Sequence, residues 1–289
     1  MAATPLKSLA PGQLTWRKLR SNILAMFGLV ILLSFMLITL LAPVLAPYGR
    51  DTIDMARVDQ PPSAEHLLGT DELGRDVLSR LLYGGQVSMG VGVAATFFQL
   101  IIGVTLGSIA GYYGSRVDST IMWVTDVIMC FPFFVIAISM AALLGPSVWN
   151  VILIIGILEW TAVARIVRGR ILSLRSLEFV EAAKALGLSR WEIITRHLIP
   201  NTMGPIIVYA TLSVAQGILA EASLSFLGLG VMQPQASWGG MMAAAQKMRV
   251  LQNEWWLWIP AGSMVLTTVL SINFLGDGLR DALDPQYKY

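Results

Sequence analysis

Four acidic residues stand in or beside long apolar runs of this 289-residue chain: Asp118, Asp126, Glu159 and Glu221. A charge facing hydrocarbon costs at least ~2.5 kcal/mol, so each needs a cation, a hydrogen-bond donor or water. Asp118, at the end of its run, is expected to be solvated. Asp126 is expected to be solvated too, or to meet an arginine near 165–170. Glu159 and Glu221 lie deeper and are candidates for a polar path or a partner interface. Glu221 has the chemistry to take an amino group; the alternative for both is a hydrogen bond to a neighbouring helix. Other site chemistry is thin. His66 and His197 fall on opposite sides of the expected topology, so they cannot share a metal. Cys130 alone builds neither a disulfide framework nor a thiolate centre, and is expected to be a small buried hydrophobe.

A second group is short and partly charged: Glu181-Ala182-Ala183-Lys184-Ala185-Leu186-Gly187-Leu188-Ser189, closed by Pro200-Asn201. Phe179, Ala182, Ala183 and Leu186 recur at i, i+3, i+4 and i+7, one apolar helix face. Gly187 is the expected stop, because glycine accepts the left-handed dihedral of a helix end. Ser189 with Glu192 three residues on is a capping box that opens a second helix. Pro200 suits the first turn of the next long helix, where its missing N–H costs nothing.

The elements that hold these groups are mostly membrane. Hydrophobic residues make up 55% of the chain and charged residues 13%, about half the charge of a soluble domain. A net charge of +2 without a basic patch gives no case for nucleic acid. No cleavable signal is evident, since the uncharged run from Ile23 to Gly49 is too long for a signal core. Spans of about 20 apolar residues are expected near 23–45, 86–111, 119–144, 148–167, 202–227 and 256–276. This is an all-α integral membrane protein with six transmembrane helices. With the N-terminus inside, the inner segments hold 14 of the 20 Lys and Arg residues and the outer segments 6, which predicts N-in, C-in. The parts are then an inner segment 1–22, a first span 23–45, an outer loop 46–85, a five-helix core 86–276 carrying the elbow at 176–200, and an inner tail 277–289.

Two outer segments are more than connectors. In the first, Leu73, Val77, Leu78, Leu81 and Leu82 predict an interfacial helix ended by Gly84-Gly85, with Asp76 and Arg80 paired at i, i+4. The second, about 228–255, has Gly228, Gly230, Pro234, Gly239 and Gly240, then Trp255, Trp256 and Trp258 at a membrane boundary. It predicts a short helix or re-entrant piece covered by protein. Met232, Met241, Met242 and Met248 suit flexible packing there.

Glu181-Ala182-Ala183, Gly187 and Pro200 at these spacings between two spans resemble the EAA signature of binding-protein-dependent ABC importers; His197 and Ile199 stand where Ile and Leu are usual. Gly69-Thr70-Asp71-Glu72-Leu73-Gly74-Arg75-Asp76-Val77-Leu78-Ser79-Arg80 is similar to the dipeptide/oligopeptide/nickel permeases, specifically their second membrane subunit. So are Ala164-Arg165-Ile166-Val167-Arg168-Gly169, Leu224-Ser225-Phe226-Leu227-Gly228-Leu229-Gly230, Asn273-Phe274-Leu275-Gly276-Asp277-Gly278-Leu279-Arg280-Asp281 and Asp284-Pro285. The resemblance runs from about residue 15 to the end.

The resemblance implies a type I ABC importer-like permease with a cytosolic coupling helix, in a bacterial or archaeal cytoplasmic membrane. Besides the lipid bilayer it implies three kinds of partner: a homologous second permease, two ATP-binding subunits and an extracytoplasmic solute-binding protein. Glu181, Ala182, Ala183, Gly187, Arg196 and Pro200 would couple to the ATPase, and Glu159 and Glu221 would be path or interface candidates. ATP and Mg would be bound by the partner ATPases, with no cofactor in this chain, which lacks a Gly-rich phosphate loop and is not itself an enzyme. Peptide is the expected cargo, beside nickel chelates, glutathione or sugars. Two other classes fit less well. A secondary transporter would show matching broken halves, and an intramembrane enzyme would cluster carboxylates, His, Ser or Cys at one depth.

Overall fold

The computed structural model describes residues 11–283, and among them every extended element is helical, apart from one isolated bridge between Thr70 and Asp76. Lys7 and Asp284-Pro285 lie outside the described residues. Helix α1 is Pro11–Ser21 and α2 is Ile23–Leu40, whose first turn is capped by Asn22 accepting from the Ala25 N–H at 3.1 Å. Then come α3, Val77–Tyr113; α4, Ser115–Met129; α5, Phe133–Leu144; α6, Val148–Leu174; and α7, Glu178–Ala185. Helix α8 is Arg190–Phe226, including a π turn over Ile193–Leu198. Two short helices, α9 (Trp238–Met242) and α10 (Met248–Asn253), precede α11, Ile259–Leu283.

Five of these, α2, α3, α6, α8 and α11, are long and apolar enough to cross a membrane. The expected third span, 119–144, is instead two helices, α4 and α5, bent by 82° at Cys130-Phe131-Pro132. Proline starts α5 because it has no N–H to give to the preceding turn. Cys130 therefore lies at a corner and is exposed, not buried as composition suggested.

The core is the seam between α3 and α6, the most extensive helix pairing in the chain. Gly103, Gly107 and Gly111 recur every fourth residue on α3, and a Cβ at any of them would stand 2.5 to 3.0 Å from α6 atoms at Trp160, Val163, Ala164, Val167, Arg168 or Ile171. Small residues at this spacing let two backbones approach, which drives helix association where lipid removes the hydrophobic incentive.

The separate interfacial helix expected before Gly84 is the first part of α3. Its 37 residues span about 55 Å, well beyond a ~30 Å hydrocarbon core. Gly84 and Gly85 do not end it: they face Ser237, Trp238 and Thr39, and a Cβ on Gly85 would lie 2.3 Å from the Thr39 methyl. Nor do Asp76 and Arg80 pair. Asp76 caps α3, its Oδ2 accepting from the Ser79 N–H and hydroxyl, both at 2.7 Å, while Oδ1 meets His66 Nδ1 at 2.9 Å. With both oxygens occupied, Arg80 turns to Asp71 at 3.5 Å and donates to the Pro234 carbonyl at 3.3 Å. The loop 46–76 and the short helices of 228–257 form one cap over this end of the bundle, the loop face. Glu72 and Asp59 of the first segment pair there with Lys247 and Arg249 of the second.

Candidate functional site

At the other end of the bundle, α6 leaves through an elbow, residues 174–200, that returns into α8. Its first arm, α7, closes with a doubly bonded turn: Gly187 N–H donates to Lys184 O at 3.0 Å, and Leu188 N–H donates to Ala183 O at 3.1 Å. This is a Schellman ending, and Gly187 has the positive φ it demands, +79°. A Cβ there would meet nothing within 4 Å, so the requirement is one of backbone angle rather than room. Ser189 then opens the second arm: its hydroxyl accepts from the Glu192 N–H at 3.3 Å, and the Glu192 carboxylate accepts from the Ser189 N–H at 3.1 Å. The expected capping box is present in full.

The expected apolar face divides. Ala183 turns inward with Val180, packing with Ile193, Ile194 and Leu198 against Val163, Val167, Ile171 and Leu174 of α6. Phe179, Ala182 and Leu186 face outward, and Leu186 is 80% exposed. Trp191, which sequence reasoning did not single out, is 60% exposed on the second arm. Its signal was available, as a large aromatic two residues past the Ser189 cap of a polar turn. Leu177 adds to the same surface. Exposed aromatic and aliphatic groups around a small residue, Ala182, are the makings of a docking surface.

Charged groups rim it. Glu181 bonds Lys184 at 2.7 Å and Arg196 lies 3.4 Å from Glu192, all largely in solvent, so these pairs contribute little stability and remain open to a partner. Pro200 stands, as expected, in the first turn of the long α-helical stretch Ile199–Phe226, which follows the π turn Ile193–Leu198 without a break and so continues α8. Two arginines bind the elbow to the end of α3. Arg175 Nη1 donates to Gly111 O at 3.1 Å and Tyr112 O at 3.3 Å, a cation on a helix C-terminus. Arg190 sits over the Tyr113 ring, 5.5 Å from its centroid. Elbow, α3, α6 and α8 are thus one packed unit.

The membrane acids separate. Asp118 is not simply solvated: it takes a two-point contact from Arg168, with Nη2 at 2.6 Å. Asp126 meets Arg165 at 2.5 Å. Glu221 has no exposed surface. One oxygen accepts from Ser88 and the other from Ser225, both at 2.7 Å. Those hydroxyls accept in turn from Trp238 N–H and Val231 N–H, both at 3.1 Å. The carboxylate therefore pins both ends of the 231–238 loop to α3 and α8, and within this chain it offers nothing to a path. Glu159 alone of the four forms no hydrogen bond or ion pair among the described residues.

Residues 103–289 match the family described as the binding-protein-dependent transport system inner membrane component. The chain belongs to that family. Residues 10–62 of the permease match the N-terminal TM domain of oligopeptide transport permease C. The dipeptide transport system permease protein DppC of Bacillus subtilis is 43% identical over 282 residues, 97% of this chain and 88% of the relative. The oligopeptide transport system permease protein OppC of the same organism is 40% identical over 98% of this chain and 92% of its own length. The fold of the permease is also similar to that of the MetNI methionine ABC transporter in an inward-facing conformation, with a TM-score of 0.54 and 16% identity over 71% of this chain and 96% of that one.

Proposed function

We propose that the permease is one of two membrane subunits of an ATP-driven importer that carries di- and oligopeptides across a bacterial or archaeal cytoplasmic membrane by alternating access. The observation that carries this reading is the elbow: a short helix whose C-terminal end and the helix start that follows it are both fixed by local hydrogen bonds, tied to three long helices and leaving Phe179, Ala182, Leu186 and Trp191 exposed. In this reading six spans run N-in, C-in, the elbow face is cytosolic and the loop face receives an extracytoplasmic solute-binding protein. The other partners are a homologous permease and two ATP-binding subunits. Peptide cargo is supported by the names of the relatives.

ATP and Mg, held by those ATP-binding subunits, supply the free energy. Closure of the ATPase dimer draws the elbows together. Val180 and Ala183 press on α6, Ile193 and Ile194 pass the displacement into α8, and Arg175 and Arg190 bring the end of α3 with them. Packed interfaces of this kind shift as units rather than deform continuously, so the bundle rocks against its partner.

The test is reconstitution of the permease with its partner subunits in liposomes and measurement of ATP-dependent dipeptide uptake. Uptake that needs the ATPases, and that Glu181→Lys abolishes while the variant stays in the membrane, is the expected result. Uptake by this chain alone, driven by an ion gradient, contradicts the proposal.

A further inference from the structure

Glu159 lies near the middle of α6 (Val148–Leu174) and lines a cavity of about 190 Å³ with Phe131, Phe133, Ile136, Thr161 and Ala162. The cavity sits at the 82° break between α4 and α5. An unpaired carboxyl at mid-span cannot face hydrocarbon without a penalty of at least ~2.5 kcal/mol. Its open side must therefore be water or protein. A second charged pair lies nearby: Arg165, six residues further along α6 and about a third of a turn round from Glu159, is ion-paired with Asp126 of α4, both side chains exposed. This side of the chain is the path or the seam with the second permease.

The geometry points to a subsite in which Glu159, lining one cavity with Phe131 and Phe133, takes a primary ammonium group of the cargo. One carboxylate beside aromatic faces suits an organic cation, through an ion pair and cation–π contact. It does not suit a metal: no three His, Cys, Asp or Glu side chains cluster among the described residues, and hard cations take six or more oxygens. Broken helices and unpaired acids at mid-depth are where transporters hold charged cargo. This inference rests on the peptide-importer reading above.

Cys130, the exposed thiol at the break, is a native reporter between the cavity-lining Met129 and Phe131. The experiment labels it with a maleimide in the assembled transporter without binding protein, so that the binding protein's own selectivity plays no part. Alanylalanine should slow labelling, and N-acetylalanylalanine at the same concentration should not. N-acetyllysine separates the sources: protection by it brings side-chain ammonium groups into the subsite, and protection by alanylalanine alone restricts the subsite to the peptide N-terminus. Glu159→Gln should need about tenfold more alanylalanine for the same protection, the loss expected for one charge-assisted contact. Equal protection in Glu159→Gln, or equal protection by the acetylated peptide, overturns the subsite. If the assembled complex still imports alanylalanine in that case, the functional reading stands. A complex that imports no peptide overturns both.

Discussion

The N–H of Leu188 reaches back 3.1 Å to the carbonyl of Ala183, across a glycine at φ +79°. That single bond fixes the angle between α7 and the rest of the elbow, because it makes the helix end and the reversal one rigid turn. Ala183 is buried against α6 while Leu186, one turn on, is almost fully solvated. The bond therefore joins the inward-facing half of the elbow to the half left for a partner.

Gly187 should be replaceable only by residues that enter the left-handed region. Asparagine visits it, and other residues meet a penalty of about 1–2 kcal/mol. Uptake by reconstituted variants should fall in the order Gly187→Asn, Gly187→Ala, Gly187→Val, with Gly187→Pro inactive though still in the membrane. Equal uptake by the asparagine and valine variants would contradict the turn's role.

Leu186→Ser and Trp191→Ala should leave the isolated permease within about 0.5 kcal/mol of its original stability, as surface changes do. Trp191→Ala should nevertheless weaken binding of the ATPase by about 2 kcal/mol or more, the scale of an aromatic anchor. Thermal melts of the purified chain and ATPase co-purification separate the two effects.

Glu221 is expected to act through stability. Glu221→Ala leaves the Ser88 and Ser225 hydroxyls without their acceptor in a sealed site, at about 1–3 kcal/mol for each buried polar group. Glu221→Gln keeps the shape and one acceptor and should cost less. Melting temperature and protease cutting within 228–240 report the loss; a stable Glu221→Ala variant with an intact loop would refute the pin.

Gly107→Val places side-chain atoms where Ala164 of α6 already stands, a Cβ alone meeting its carbonyl oxygen at 2.5 Å. Overpacking of this kind costs about 1–3 kcal/mol. Gly90→Val, on the same helix with nothing within 4 Å of its Cβ, is the control. The first variant should be lost from the membrane or melt early, and the second should behave as the parent.

What could be read without coordinates was local. Gly187 as a stop and Ser189 with Glu192 as a start depend on neighbours within four residues, and both stand as expected. The apolar face of α7 was legible as a face but not as to its direction, because periodicity does not say what covers it. Ala183 follows Val180 inward, and Phe179, Ala182 and Leu186 stay exposed. Glu221 was legible as a buried acid, but its partner Ser88 is 133 positions away. Gly84-Gly85 misled because a close helix contact lets α3 run through residues that usually end a helix. The glycines at 103, 107 and 111 were in plain view, and their meaning depends on the α6 backbone they touch.

The central claim is that the elbow at 174–200 seats in an ATPase subunit, and site-specific crosslinking tests it most directly. A photo-crosslinking amino acid placed at Leu186, in the assembled transporter in membranes, should yield one adduct, with an ATP-binding subunit, whose yield changes between nucleotide-free and ATP-bound states. An adduct with the solute-binding protein, or with lipid alone in both states, would place the elbow on the wrong side of the membrane or outside any interface and contradict the account.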